Sequence, residues 1–489
     1  MKTLLTTLSI IVFNLCINAQ QTTSIISGKK EIIHSKILNE NRTIWVYTPN
    51  LTNPNIDSLK QYPVLYLLDG ESHFFSTVGI LQQLSQANGN GILPEMIIVG
   101  IENTNRMRDL VPASDENGSN KFLQFISEEL IPYVNLNYKA APYKSIFGHS
   151  LGGLTVIDIL TNSPNTFDSY IAVDPSMWYQ NEFYLKRTLD KIGKSELKRK
   201  KLFVATANTL PKKISFSKLK KDKSPETQHI RSILRLDNYL KNIKNGLDYQ
   251  QKYYEFESHN SLPLIGEYDA LRFIFNYYQF ESNENDFKDS TTLIATKLKN
   301  HYSKVSQNMG YKNAAPEAFI NYLGYEALNK KHYDKARALF ELNIEWYPDR
   351  TNVYDSYADY FLSIKDTVNA IKNYQKSLQI NSNVESQRKL ELLTSTKNTT
   401  ISKIDLSKYV GVYILENYNI PIEILLRESR LFAKVPGQNE DEFELVDENV
   451  FTVKGKQGYK ITFYMEENKP IRFTSVQPNG VFTAVYTGK

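Results

Sequence analysis

From Ile25 to about Phe280, short apolar runs alternate with longer amphipathic stretches, a pattern that predicts a mainly parallel sheet covered by helices. The predicted strands are Ile44–Tyr47, Val64–Leu68, Met96–Ile101, Ser145–Phe147, Tyr170–Val173, Leu202–Ala205 and Tyr253–Phe256. Helical spacing of apolar residues occupies Lys121–Tyr133, Leu151–Leu160, Thr227–Ile243 and Glu267–Tyr278. The stretch 281–312 is polar and reads as a linker. A 34-residue period then fills 313–395, where Gly324, Ala336, Phe340 and Trp346 recur as Ala358, Ala370, Tyr374 and Ile380. From 403 to 489 the runs are short and alternating, broken by Pro-Gly, Asn-Gly and Lys-Gly turns, which predicts a small antiparallel β domain. The fold class is therefore α/β, followed by a short helical repeat and a β module.

The length of 489 residues agrees with several units, at about 100–200 residues each. With 58 Lys+Arg against 53 Asp+Glu, the net charge is too small to argue for a nucleic acid or an anionic membrane as partner. Residues 1–19 carry one charge, Lys2, then the apolar run Leu8–Phe13 and Ala19, which together predict a cleaved signal peptide; a membrane anchor is the competing reading, and the run is too short to span a bilayer. The single cysteine, Cys16, lies in that leader, so no disulfide is expected and export to a periplasmic or extracellular compartment is.

The residues that carry chemistry are Gly148-His149-Ser150-Leu151-Gly152-Gly153, placed between a predicted strand and a predicted helix. Glycines there permit the tight turn that exposes a nucleophilic serine hydroxyl. A serine at its free pKa needs a general base, which in this arrangement follows the acid in the order Ser, Asp/Glu, His. Of seven histidines, His34, His73 and His149 precede Ser150, and His301 and His332 lie outside the α/β region. His229 falls within a helical pattern, whereas His259 follows a predicted strand in a loop, so His259 is the expected base. For the acid, Asp222 is chosen, with Glu226, Asp174 or no acid at all as alternatives. The expected oxyanion donors are the backbone N–H groups of Leu151 and Glu71.

Leu67-Leu68-Asp69-Gly70, Asn103-x-x-Arg106-x-x-Asp109-x-x-Pro112, the Ser150 motif, Asp174-Pro175-Ser176-Met177-Trp178 and His259-Asn260-Ser261-Leu262-Pro263 together resemble the putative-esterase family of α/β-hydrolases. This family includes esterase D-type carboxylesterases and siderophore trilactone esterases. The block at Asp174 departs from the family's Ser-Pro-Ser-x-Trp by a charge. The period at 313–395 resembles two tetratricopeptide hairpins, and Tyr409–Tyr413 resembles the start of the lipocalin-like β domain that accompanies secreted hydrolases. The resemblance implies a secreted serine esterase acting on small-molecule or carbohydrate esters, with siderophore lactones and acylated or feruloylated polysaccharides as substrate classes. Arg106 could grip substrate or pair with Asp109, and Trp178 could wall the pocket or simply pack.

Other signals add no chemistry. Ser-x-x-Lys at Ser195 and Ser217 lacks companion motifs, and the runs Lys198–Lys201 and Lys218–Lys223 read as solvated faces. No cysteine cluster, H-E-x-x-H or phosphate-binding loop is present, so no metal or cofactor is expected. A reading of another class remains: a non-catalytic binding protein whose repeats hold a protein partner, although two repeats better suit a spacer.

Overall fold

A computed structural model describes residues 27–49, 60–85, 90–113, 120–394, 405–478 and 480–488. The predicted leader at 1–19 lies outside the described residues. The chain divides into two compact units, Met1–Asn276 and Tyr277–Lys489.

The first unit is built on one sheet of eight strands: β1 (Lys29–Ser35), β2 (Glu40–Tyr47), β3 (Tyr62–Leu67), β4 (Ile97–Ile101), β5 (Ala140–His149), β6 (Ser169–Val173), β7 (Lys201–Ala207) and β8 (Asp248–Tyr254), in the order β1-β2-β4-β3-β5-β6-β7-β8. β1, β2 and β4 pair antiparallel, and every pair from β4 through β3 to β8 is parallel. Helices cover the middle strands, so β3, β4 and β6 are buried at every position, and this is why they read as unbroken apolar runs. The edge strand β8 alternates exposed and part-buried residues instead. β1, with Lys29, Lys30 and Glu31, carries too few apolar residues to be foreseen, as befits a charged edge strand.

Glu71, Ser150, His229 and His259 lie in or beside the helices Gly70–Ser85, Leu151–Asn162, Gln228–Leu240 and Leu262–Ile274. The last starts five residues before the helical spacing predicts, with Pro263 in its first turn, where a missing N–H is harmless. It carries Glu267, buried to 1% exposure, whose Oε1 accepts a 2.7 Å hydrogen bond from Thr77 Oγ1 on the Gly70 helix. Burial pushes this carboxyl up to about 8, only partly opposed by the Thr77 hydroxyl.

In the second unit, the stretch expected to be a linker holds two helices, Glu284–Lys288 and Leu293–Met309. The latter buries Ile294, Leu298, Val305 and Met309, an amphipathic stripe that the surrounding lysines and asparagines mask in the sequence. The repeat forms two helix pairs, Glu317–Asn329 with Tyr333–Trp346 and Thr351–Ser363 with Thr367–Ile380. Gly324 permits the first pair to close: a Cβ there would lie 2.6 Å from the Phe340 ring. Lys389, on the following helix, Val384–Thr394, reaches Asp355 at 2.7 Å and Asp359 at 2.9 Å, and Tyr325 and Tyr374 donate to Asp359 as well.

The strands from Gly411 to Gly488 close into an eight-stranded antiparallel barrel. Tyr409, Tyr413, Phe443, Phe451, Phe463 and Phe473 are buried in its core, and their rings meet edge-on or tilted. Among the described residues, no helix is long and apolar enough to cross a membrane.

Candidate active site

The carboxyl ends of parallel strands are where loops from neighbouring strands converge. β5 ends at His149, and Ser150 turns the chain into the Leu151 helix with φ 58° and ψ −115°, a conformation costly for a residue with a Cβ. Ser150 is held there by its N–H on Val173 O (2.9 Å) and its carbonyl under Ser176 N–H (2.9 Å). The flanking glycines are needed for space: a Cβ on Gly148 would sit 2.3 Å from Gly152 O, and one on Gly153 would sit 3.0 Å from Pro175 Cα. Leu151 opens the helix, so its N–H has no intrahelical acceptor. Ser150 Oγ lies 3.2 Å from Ser176 Oγ.

At the end of β6 the chain turns through Asp174 with φ 42°. Asp174 is fully buried; Oδ1 accepts from Ala207 N–H (2.9 Å), and Oδ2 accepts from both His259 Nδ1 (2.6 Å) and His229 Nε2 (2.8 Å). Burial alone would raise this carboxyl, but the two imidazoles and the amide hold it well below the usual carboxylate range. With its proton on Nδ1, His259 keeps Nε2 as a proton acceptor. Ser150, His259 and His229 line one cavity of about 450 Å³ together with Ser176, Trp178, Thr209, Pro225 and Gln228. Behind them His149 Nε2–H donates to His259 O (2.9 Å), and burial, followed by the neighbouring His259, pushes His149 down to about 4.

The three ligand atoms of Asp174, His229 and His259 lie close enough to suggest a metal site. Their N–O separations of 2.6 and 2.8 Å are those of hydrogen bonds, shorter than the roughly 3.3 Å edge of a tetrahedral zinc site with bonds of about 2.0–2.1 Å. Direct hydrogen bonding accounts for the cluster.

The putative-esterase family matches residues 35–222, a span that includes the Ser150 turn and Asp174. The α/β unit resembles this family over that span. Relatives of the α/β unit include the ferri-bacillibactin esterase BesA of Bacillus subtilis, 32% identical over 173 residues, which are 31% of this chain and 59% of that protein. The siderophore enterobactin esterase of Emericella nidulans is 29% identical over 26% of this chain and 50% of its own length. The chain thus spans little more than half of these curated relatives. Among solved structures, an IroE-like serine hydrolase from Shewanella oneidensis is 29% identical with a TM-score of 0.53, covering 65% of this chain and 99% of its own.

Within the α/β unit, the acid expected at Asp222 is not beside His259. Asp222 caps its own loop: Oδ1 accepts from Ser224 N (2.8 Å), Ser224 Oγ (2.6 Å) and Thr227 Oγ1 (2.8 Å), and these bonds lower its carboxyl. The residue on His259 is Asp174, only an alternative in the sequence. Arg106 does not pair with Asp109. Its Nε and Nη2 fork onto Asp69 (2.7 and 2.9 Å), whereas Asp109 takes Arg42 (2.6 Å) and Arg108 (2.8 Å). Arg106 and Glu71 line a separate cavity of about 480 Å³ with Asp69, Asn103, His149 and Asn260. Glu71 is the second residue of the Gly70 helix, so its N–H also lacks an intrahelical partner. Trp178, 42% exposed, stands at the Ser150 cavity and leads into a left-handed turn at Gln180, Asn181 and Glu182. The helical pattern around His229 argues against a role for it, yet it sits in the first turn of its helix, at the end of the long loop, where a side chain can still face the strand ends.

Proposed function

We propose that the α/β unit hydrolyses carboxylic esters through an acyl-enzyme on Ser150. The observation that carries this reading is the hydrogen bond from His259 Nδ1 to buried Asp174, with His259 and Ser150 on one cavity wall. Asp174 fixes the His259 tautomer, so Nε2 takes the Ser150 proton as Oγ attacks the ester carbonyl carbon. The carbonyl oxygen gains negative charge and meets the N–H groups of Leu151 and Glu71. On collapse, the C–O bond to the alcohol breaks and His259 returns its proton to the leaving oxygen. Water then attacks the acyl-enzyme, His259 accepts its proton, and Ser150 is regenerated as the acid departs.

The names of the relatives direct the substrate search to siderophore esters, with acylated or feruloylated saccharides as the competing class. The leader-like composition at 1–19 supports export to a periplasmic or extracellular compartment. Ser150→Ala and His259→Ala should abolish p-nitrophenyl acetate hydrolysis while the melting temperature stays put, and a fluorophosphonate should label the wild type at Ser150. Full activity in either variant would overturn the assignment. A panel of siderophore lactones, feruloyl saccharides and short acyl esters then ranks substrates by kcat/KM.

A further inference from the structure

We propose that His229 is a positioning residue for the reaction at Ser150, its Nε2–H holding the same Asp174 oxygen that receives His259. The inference rests on the esterase reading of Ser150 and adds a member that none of the motifs contains. Asp174 is fully buried in a left-handed turn, and a buried carboxylate persists only when its oxygens are occupied. Ala207 N–H takes Oδ1, which leaves Oδ2 to the two imidazoles. Their rings stand edge to face, with centroids 5.4 Å apart and planes 83° apart, so both N–H vectors can converge on one atom.

The tautomer follows from the surroundings. His229 Nδ1 is buried without a hydrogen-bond partner, so a proton there would be an unsatisfied donor, whereas a proton on Nε2 is bonded. At the helix start Ser232 Oγ donates to the backbone O of His229 (2.7 Å), which fixes the main chain that carries the ring.

Sharing the oxygen sets how firmly Asp174 supports a protonated His259. A carboxylate with an extra donor attracts the imidazolium less strongly, and removing that donor strengthens the attraction. The other titratable groups facing this cluster are His149 from β5, its ring 4.6 Å from that of His259, and His73 from the Gly70 helix, 5.8 Å from His149. Asp69, Glu71 and Arg106 face His73 in turn. Burial holds both His73 and His149 below the ordinary histidine range.

The test uses the full chain with isotope-labelled histidines, His229→Leu, and His229→Gln, which keeps a donor at the Nε2 reach. In His229→Leu the ¹⁵N shifts of the His259 ring should depart from the Nδ1–H pattern of the wild type, because Asp174 Oδ2 loses one of the two donors that hold it in place. The kcat should fall about tenfold or more. His229→Gln should restore most of both. In the wild type, ¹⁵N shifts at high pH should place the His229 proton on Nε2, a readout that needs no variant to fold. An Nδ1–H tautomer of His229, or His259 ¹⁵N shifts unchanged in His229→Leu, overturns the proposal. Absence of any wild-type ester hydrolysis would sink the esterase reading, while the ¹⁵N shifts would still decide whether His229 acts on His259.

Discussion

Glu267 makes the stability of the α/β unit depend on pH in a direction opposite to that of a paired carboxylate. Its folded-state pKa of about 8 lies above the ordinary 4.5 because the side chain is fully enclosed, with Thr77 Oγ1 as its described hydrogen-bond donor. Below about pH 4.5 the carboxyl is protonated in both states and costs nothing. Between 4.5 and 8 the unfolded chain binds fewer protons than the folded one, so stability falls as pH rises, and above 8 the loss levels off. At about 1.4 kcal/mol per pH unit, the full displacement amounts to about 5 kcal/mol. Glu267→Gln keeps an acceptor for Thr77 but cannot ionise. Urea unfolding of wild type and variant at half-unit steps from pH 4.5 to 9 isolates this carboxyl, because every other titrating group cancels in the difference. The variant's advantage should grow steadily with pH and reach several kcal/mol by pH 8. A difference that stays constant across the range would refute the reasoning. The stakes are functional as well: the bond joins the helix that begins beside Glu71 to the helix after the His259 loop.

Three further outcomes are expected. Asp174→Asn should lower kcat by a factor on the order of 10³–10⁴ by releasing the His259 tautomer, whereas Asp222→Asn should leave the rate of p-nitrophenyl acetate hydrolysis unchanged. Gly70→Ala places a Cβ 2.4 Å from the Gly100 carbonyl carbon, so the turn presenting the Glu71 N–H must move, and kcat/KM should drop about a hundredfold or more. Lys389→Met strips the cation from buried Asp355 and part-buried Asp359, which should destabilise the second unit by about 3–5 kcal/mol in calorimetry while ester hydrolysis persists.

The Ser150 turn was legible because its requirements are local: glycines at 148, 152 and 153 clear space for a single bend between adjacent elements. The acid was not, because what separates Asp222 from Asp174 is chiefly what surrounds each in three dimensions. One feature of the sequence did favour Asp174, a carboxylate that ends the apolar run Tyr170–Val173 on the strand next to the one bearing Ser150. His229 was invisible to a helix-or-loop distinction, since the first turn of a helix belongs to both. The central strands were legible from their apolar runs and β1 was not, because an edge strand satisfies only half the burial that the pattern reports. In the second unit, alternation announced strands but carried no information about their closure into a barrel, which depends on the pairing of the first strand with the last, Tyr413 with Tyr486.

The aromatic filling of that barrel bears on how the second unit can be put to use. Six large buried rings fill its core, so its outer wall is the surface on which side chains can be changed without disturbing that packing. Surface substitutions at Val481, Val485 or Tyr464 are therefore the informative ones for finding its role, while changes at Phe463 or Tyr413 would report only on whether the cylinder holds its shape.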